Sequence, residues 1–170
     1  MRLFVGIRPS EAFRAALSDL QGRLRAAGLS GRYLDPSCLH MTLAFIGEWP
    51  ENVTSVLPAV ARPFPVTLSH LGFFPEAKVL WAGVSPSEAL DQLAEQVRKS
   101  LSGNGIPFDP KRFNPHISLV RKPSFPDGLE LAGIDVPPVS MLTDEVCLYR
   151  SEHGENGMVY TVIGSTLDKT

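Results

Sequence analysis

Two cysteines in 170 residues are too few for a disulfide framework. Neither Cys38 nor Cys147 has the neighbouring cysteine that a zinc knuckle needs. Both read as buried thiols of a reducing compartment. No apolar run approaches the roughly 18 residues required to cross a bilayer. The first seven residues alternate like a strand and lack the long apolar region of a secretion signal. The expectation is a cytoplasmic chain with no membrane partner. Charge of one sign is also missing: 16 Lys and Arg against 18 Asp and Glu leave a net charge of −2. That excludes a protein gripping long nucleic acid by global charge, so any contact with RNA or DNA must be a small local site. No low-complexity segment or flexible linker interrupts residues 1–170, which read as one domain, by default a monomer with no obligate protein partner.

What is present is a large apolar share, 44%, ample for a core, and 15 prolines, which imply short elements joined by tight connections. Arg2 to Ile7 is short and β-prone. Ser10 reads as a helix N-cap, Phe13, Leu17, Leu20 and Leu24 form a stripe at helical spacing, and Gly28 closes the helix. A polar loop then leads to a strand over 39–46. Val53, Val56, Leu57 and Val60 predict a second, shorter helix, and 65–74 with 79–84 predict a strand pair. Ser85-Pro86-Ser87-Glu88 has the form of a capping box with Ser85 at its head, and Gly103 ends the helix that follows. Strands are predicted over 113–120, 140–150 and 158–164, with Asn156-Gly157 as a hairpin signal. The irregular alternation predicts an α+β protein with mixed or antiparallel sheets and about two long helices.

One short duplication carries the chemistry. His40-Met41-Thr42-Leu43 and His116-Ile117-Ser118-Leu119 lie 76 positions apart (40 to 116), each inside a β-prone run. With a side-chain period of two, His40 and Thr42 share one face of their strand while Met41 and Leu43 share the other; His116 and Ser118 oppose Ile117 and Leu119 in the same way. A polar stripe on a buried strand is costly unless it faces partners or a water-filled cleft. Two such strands would place two imidazoles and two hydroxyls around one cavity. Imidazole titrates near neutrality, so one ring can accept a proton while the other donates one. Hydroxyls donate to anionic oxygens. A small phosphodiester fits, with water deprotonated by one histidine and the leaving oxygen protonated by the other, and no metal or other cofactor is required. The plainer alternative, two unrelated strand histidines in core hydrogen bonds, does not account for the repetition.

With these motifs and their flanks the sequence resembles the 2H phosphoesterase superfamily, in particular the RNA 2′,3′-cyclic phosphodiesterase or 2′-5′ RNA ligase branch. The resemblance runs from Arg2-Leu3-Phe4-Val5 through 39–47, Val79-Leu80-Trp81 and 114–121 to Leu148-Tyr149-Arg150-Ser151, Gly157 and Tyr160. Ser118 stands where the family often has threonine and keeps the hydroxyl. The resemblance implies a bilobal fold, two sheets flanking a central cleft with helices outside. It implies hydrolysis of an RNA-terminal nucleoside 2′,3′-cyclic phosphate, or of a cyclic nucleotide, to the 2′-phosphomonoester, with 2′-5′ ligation free of ATP as a further activity. It makes His40 the proton donor and His116 the proton acceptor, with Thr42 and Ser118 on the phosphate oxygens. Which histidine is the acid rests on the resemblance alone. Another small cyclic phosphate, a 2′-5′ oligonucleotide, or a non-catalytic module that binds RNA ends are the alternatives.

Arg121 suits a phosphate clamp, but its strand parity is opposite to that of His116, so it reaches the site only if the strand ends or twists there. Lys111, Arg112, Arg121 and Lys122 form a basic run without an acid beside the second motif. Among aromatic residues able to stack a base, Phe45 has the parity of Met41 and is expected in the core; Phe73 and Trp81 are weaker choices than Phe74 beside its proline turn. His70 and His153 read as structural or exposed. A metal site built on Cys38 and His40 has no matching second pair.

Overall fold

A computed structural model describes residues 1–168. The chain opens with β1 (Arg2–Ile7), whose Leu3, Val5 and Ile7 enter the main core while Phe4 points to the opposite face. Helix α1 (Glu11–Ala26) is capped where the sequence places its start, Ser10 Oγ accepting from the Phe13 amide at 3.2 Å. Its stripe of Phe13, Leu17, Leu20 and Leu24 is at most 1% exposed. Gly28, at φ +90°, supplies the left-handed residue that lets the Leu29 amide return to the Leu24 carbonyl. The remaining strands are β2 (Ser30–Tyr33), β3 (Met41–Glu48), β4 (Phe64–Phe74), β5 (Val79–Val84), β6 (His116–Ser124), β7 (Ser140–Thr143), β8 (Cys147–Gly154) and β9 (Gly157–Ser165), with α2 (Glu88–Gly103) between β5 and β6.

Several boundaries differ from the sequence reading, each for a local reason. The helix expected after Pro50 is a single 3-10 turn, Thr54–Val56; Leu57 precedes Pro58, and the residue before a proline is driven out of the helical region. Helix α2 is capped by Ser87, whose Oγ accepts from the Leu90 amide, while the Ser85 amide is tied to the Thr67 carbonyl of β4. The strand expected over 113–120 begins only at His116, after Pro115, which has no amide proton to give a ladder. The stretch 140–150 is two strands, β7 pairing β4 and β8 pairing β1. The polar segment after α1 contains β2, which pairs β6. The last hairpin turns at Glu155-Asn156, with Gly157 at φ +119° starting β9.

Every pairing among the described residues is antiparallel, in the order β7-β4-β5-β6-β3-β1-β8-β9, with β2 also on β6. This is the expected α+β architecture with antiparallel rather than mixed sheets. The path divides into two sheets joined by one rung. Between β3 and β6 only Met41 and Ile117 pair, and beyond that rung the strands diverge. These are the residues between histidine and hydroxyl in the two motifs, so the hinge of the fold is also the floor of the site. The helices cross over: α1, which follows β1 of one sheet, packs on β6 of the other, and α2, which follows β5, packs on β3.

Candidate active site

The two motif strands carry the same irregularity at the same place. Along β1, Val5 pairs with Ala44 and Gly6 with Thr42, so Leu43 is an extra residue in β3. Along β5, Leu80 pairs with Val120 and Trp81 with Ser118, so Leu119 is an extra residue in β6. Each bulge buries two successive side chains, Leu43 with Ala44 and Leu119 with Val120, all 0% exposed. It thereby shifts the side-chain parity by one. The fifth residue after each histidine rejoins the polar face: Phe45 after His40 and Arg121 after His116. Arg121 therefore lines the cleft despite its formal parity, and Phe45 is not a core residue but also lines it.

The crossing helices send a donor to the carbonyl of each bulge residue, and the Leu119 carbonyl also accepts from the Leu34 amide at 3.0 Å. Arg98 Nε of α2 donates to the Leu43 carbonyl at 3.1 Å. Gln21 Nε2 of α1 donates to the Leu119 carbonyl at 3.0 Å and to that of Leu34 at 2.9 Å. Gln21 is 2% exposed, so these bonds satisfy a buried amide as well. Both residues occupy the eleventh position of their helices. Gly6 serves a related need: a Cβ there would sit 2.6 Å from the Met41 carbonyl oxygen.

The histidines are fixed alike. His40 Nδ1 lies 2.8 Å from the Cys38 carbonyl and His116 Nδ1 lies 2.6 Å from that of Asn114, each two residues back. A carbonyl only accepts, so both Nδ1 atoms carry protons and the chemistry falls to Nε2. His40 Nε2 is 2.9 Å from Thr42 Oγ1; His116 Nε2 has no hydrogen-bond partner among the described residues. Aromatic walls differ. His40 packs on Phe4 (4.5 Å between centroids), Tyr149 (5.5 Å) and the edge of Tyr160 (5.2 Å). His116 meets Phe74 edge-on at 5.0 Å and Trp81 at 6.0 Å. Burial lowers His40 from its ordinary 6.5 to about 4, against the Cys38 bond, which raises it, and with help from the positive His116 and Arg121. Burial also lowers His116, opposed by the Asn114 carbonyl. The thicker aromatic enclosure explains why His40 moves far.

Two cavities flank the motif strands. One, of about 430 Å³, is lined by His40, Thr42, Phe45, Ser118 and Arg121, together with Arg2, Ser151, His153 and Tyr160. The other, of about 620 Å³, is lined by His116, Phe74, Phe113, Lys111 and Arg112. Thr42 and Phe45 line both. Of the five residues singled out by sequence, His40, Thr42, Ser118 and Arg121 line the first cavity and His116 the second, with Thr42 on the wall the two share. Arg2, Ser151, His153 and Tyr160 were not singled out as cleft residues; the alternation Cys147, Tyr149, Ser151, His153 along β8 is the signal that could have found two of them. His70 lies against Gly83 and the edge of Trp81, outside the cleft linings. Both cysteines are buried, and burial pushes both thiols up, Cys147 to about 12. Among the described residues no three His, Cys, Asp or Glu side chains gather as a metal site, and no helix is long and apolar enough to cross a membrane.

Two histidine-hydroxyl strands facing one cleft between two antiparallel sheets define a two-histidine phosphoesterase. The chain belongs to the 2′-5′ RNA ligase superfamily, whose family model matches residues 4–155. It is 30% identical to the RNA 2′,3′-cyclic phosphodiesterase of Thermotoga maritima over 96% of this chain and 93% of that one. It is 32% identical to the protein of that name from Thermus thermophilus, over 96% and 88%. The apo structure of Escherichia coli LigT superimposes with a TM-score of 0.78 at 28% identity, covering 96% of this chain and 95% of that one.

Proposed function

We propose that this protein hydrolyses the 2′,3′-cyclic phosphate at an RNA end to a 2′-phosphomonoester; the relatives it matches carry the name RNA 2′,3′-cyclic phosphodiesterase. One observation carries the reading: both motif histidines are held through Nδ1, which leaves Nε2 of each for chemistry, His40 in a cavity with two hydroxyls and a guanidinium and His116 in the adjoining one that shares Thr42. His116, whose Nε2 is free of protein partners, takes the proton of the attacking water. A P–O bond forms to that water, the P–O3′ bond breaks, and His40 gives its Nε2 proton to the departing 3′-oxygen. Thr42 and Ser118 donate to the non-bridging oxygens, and Arg121 balances their charge in the transition state. When substrate enters, the Thr42 hydroxyl exchanges His40 Nε2 for a phosphate oxygen, which frees the ring to hold its proton. Residues 1–170 act as one monomeric unit in the cytoplasm, with the RNA end as the only partner the chemistry needs.

The test is turnover of 2′,3′-cyclic nucleotides and of RNA carrying a terminal cyclic phosphate, in EDTA. General acid and general base terms are each worth about 10²–10⁴ in rate, so His40→Ala and His116→Ala should each fall by at least about a hundredfold, with the 2′-phosphate as the product in wild type. Retention of activity in either variant would overturn the assignment of its histidine. Binding without turnover on any cyclic phosphate would leave an RNA-end binding module instead.

A further inference from the structure

In an antiparallel sheet, residues paired across neighbouring strands put their side chains on the same face. In the sheet that carries β6, one such row runs Phe74 of β4, Val79 of β5, Arg121 of β6 and Arg32 of β2. The row ends in two arginines side by side, on Cβ atoms about 5 Å apart. Arg121 lines the 430 Å³ cavity, and so does Leu34, two residues along from Arg32. Arg32 is exposed and stands on the cleft face, one strand outward from Arg121, at the rim.

Like charges directly opposite one another destabilise a sheet. Nothing within the protein offsets this pair. Among the described residues neither arginine forms an ion pair, and no Asp or Glu lines the cavity. Asp35, the nearest acid along the chain, accepts from the amide and the hydroxyl of Ser37. Nor can the two strands slip to separate the charges. The Leu34 amide holds the Leu119 carbonyl at 3.0 Å, and the Tyr33 hydroxyl donates to the Leu29 carbonyl at 2.7 Å. On the other side of Arg121, the Lys122 amide donates to the Lys78 carbonyl at 2.8 Å, with the two lysines in the left-handed region at φ 49° and 55°. Residues other than glycine keep that conformation only where their surroundings impose it. The register thus locks two guanidiniums together without a counter-charge, an arrangement that bound anions make favourable. A 2′,3′-cyclic phosphate brings one negative charge, which Arg121 already meets. Arg32 is surplus to it.

We propose that Arg32 is a specificity-determining residue that binds the phosphate on the 5′ side of the terminal nucleotide, so that the cleft favours an RNA chain over a cyclic mononucleotide. The inference rests on the cyclic-phosphate reading of the same cleft. With the terminal ribose in the 430 Å³ cavity and its cyclic phosphate on Thr42, Ser118 and Arg121, the chain leaves over the rim at Arg32. The guanidinium fork takes two oxygens of the next phosphate, so successive phosphates fall to the paired arginines in turn. The contact is to phosphate and not to a base, and a 5′-phosphomonoester meets it as well as a phosphodiester does.

The experiment measures kcat/KM in wild type and in Arg32→Gln for three substrates: uridine 2′,3′-cyclic phosphate, the same nucleotide carrying a 5′-phosphate, and the dinucleotide UpU ending in the cyclic phosphate. A charge-assisted contact is worth about tenfold. Wild type should prefer both 5′-phosphorylated substrates by about that factor, less so as salt rises, and the preference should vanish in Arg32→Gln. Glutamine also relieves the like-charge pair. The free variant should therefore melt no lower than wild type, while inorganic sulfate should raise the wild-type Tm more than that of the variant. Absence of a preference in wild type, its survival in the variant, equal loss on all three substrates, or a variant that melts lower would each refute the proposal. A preference for the dinucleotide alone would also refute it, since the contact would then be to the next nucleoside. If none of the three is turned over, the hydrolase reading fails and binding decides the subsite. Binding of the two 5′-phosphorylated compounds about tenfold tighter than the third, lost in Arg32→Gln, sustains it; equal binding refutes it.

Discussion

His40 is nearly all neutral in the free protein at pH 7, with its pKa lowered to about 4 chiefly by burial, yet the proposed reaction needs it protonated. The structure supplies the resolution, because two of the causes are electrostatic neighbours that a bound anion offsets. A unit negative charge about 4 Å from the ring, at an effective dielectric of about 20, interacts by about 4 kcal/mol. At 1.36 kcal/mol per pKa unit, that is a rise of about 3 units, bringing His40 to roughly neutrality. The substrate phosphate thus loads its own general acid. The assay is an NMR titration of the ring protons with and without saturating inorganic sulfate, whose charge is constant across the range. His40 should titrate near pH 4 in the free protein and about 3 units higher with sulfate, with proton uptake on binding between those values. A ring that titrates near 6.5 in the free protein, or that stays below about 5 when sulfate is bound, would refute the reasoning. The rate profiles follow: kcat/KM, set by the free protein, should bell with both limbs below pH 6.5, while kcat should peak at higher pH.

The remaining predictions concern the residues that shape the cleft. Gln21→Leu removes the side-chain donor shared by the Leu34 and Leu119 carbonyls, leaving Leu119 only the Leu34 amide, and should destabilise the fold by about 1–3 kcal/mol in a denaturant titration; because the bulge aims Arg121, it should also raise KM, with Gln21→Glu failing to restore it and kcat less affected. Arg121→Lys should lose about tenfold in kcat/KM for a cyclic nucleotide, since an ammonium lacks the bidentate fork; an unchanged value would place Arg121 outside the phosphate site. Stability should fall as pH drops from 6.5 through 4, because the unfolded chain protonates His40 at 6.5 and the folded one only near 4. The full shift corresponds to about 3 kcal/mol below pH 4, and His40→Gln should remove that part of the slope in acid denaturation. Gly6→Ala should cost several degrees in Tm, since the new methyl meets the Met41 carbonyl oxygen.

What the sequence revealed and what it concealed divide along the range of the interactions involved. The caps, the helix stripes and the paired motifs are local patterns, so Ser10, Phe13 to Leu24, His40 and His116 could all be placed from their immediate neighbours. The bulges could not, because an extra residue in a strand is defined only against the partner strand that skips it, and the flanking residues of β1 and β5 lie 37 to 39 positions from the residues they skip. Strict alternation therefore puts Phe45 in the core and brings Arg121 to the cleft only through a twist or an end of its strand. The shift it misses is the same in both halves, and that coincidence is informative. A side-chain pattern of histidine, apolar, hydroxyl and then two apolar residues breaks period two at one position, since Leu43-Ala44 and Leu119-Val120 cannot both face opposite layers and both be buried. Two adjacent apolar residues after a polar stripe thus signal a parity shift before any partner is known. Counted from that shift, the fifth residue after each histidine belongs to the cleft, and the eleventh residue of the crossing helix is what holds the shift in place. The catalytic face is set by the strands, while the residues that aim it sit on helices that begin 77 positions apart and serve opposite sheets. Replacing either helix contact should disturb the phosphate site in the sheet to which its helix crosses, not in the sheet from which it came.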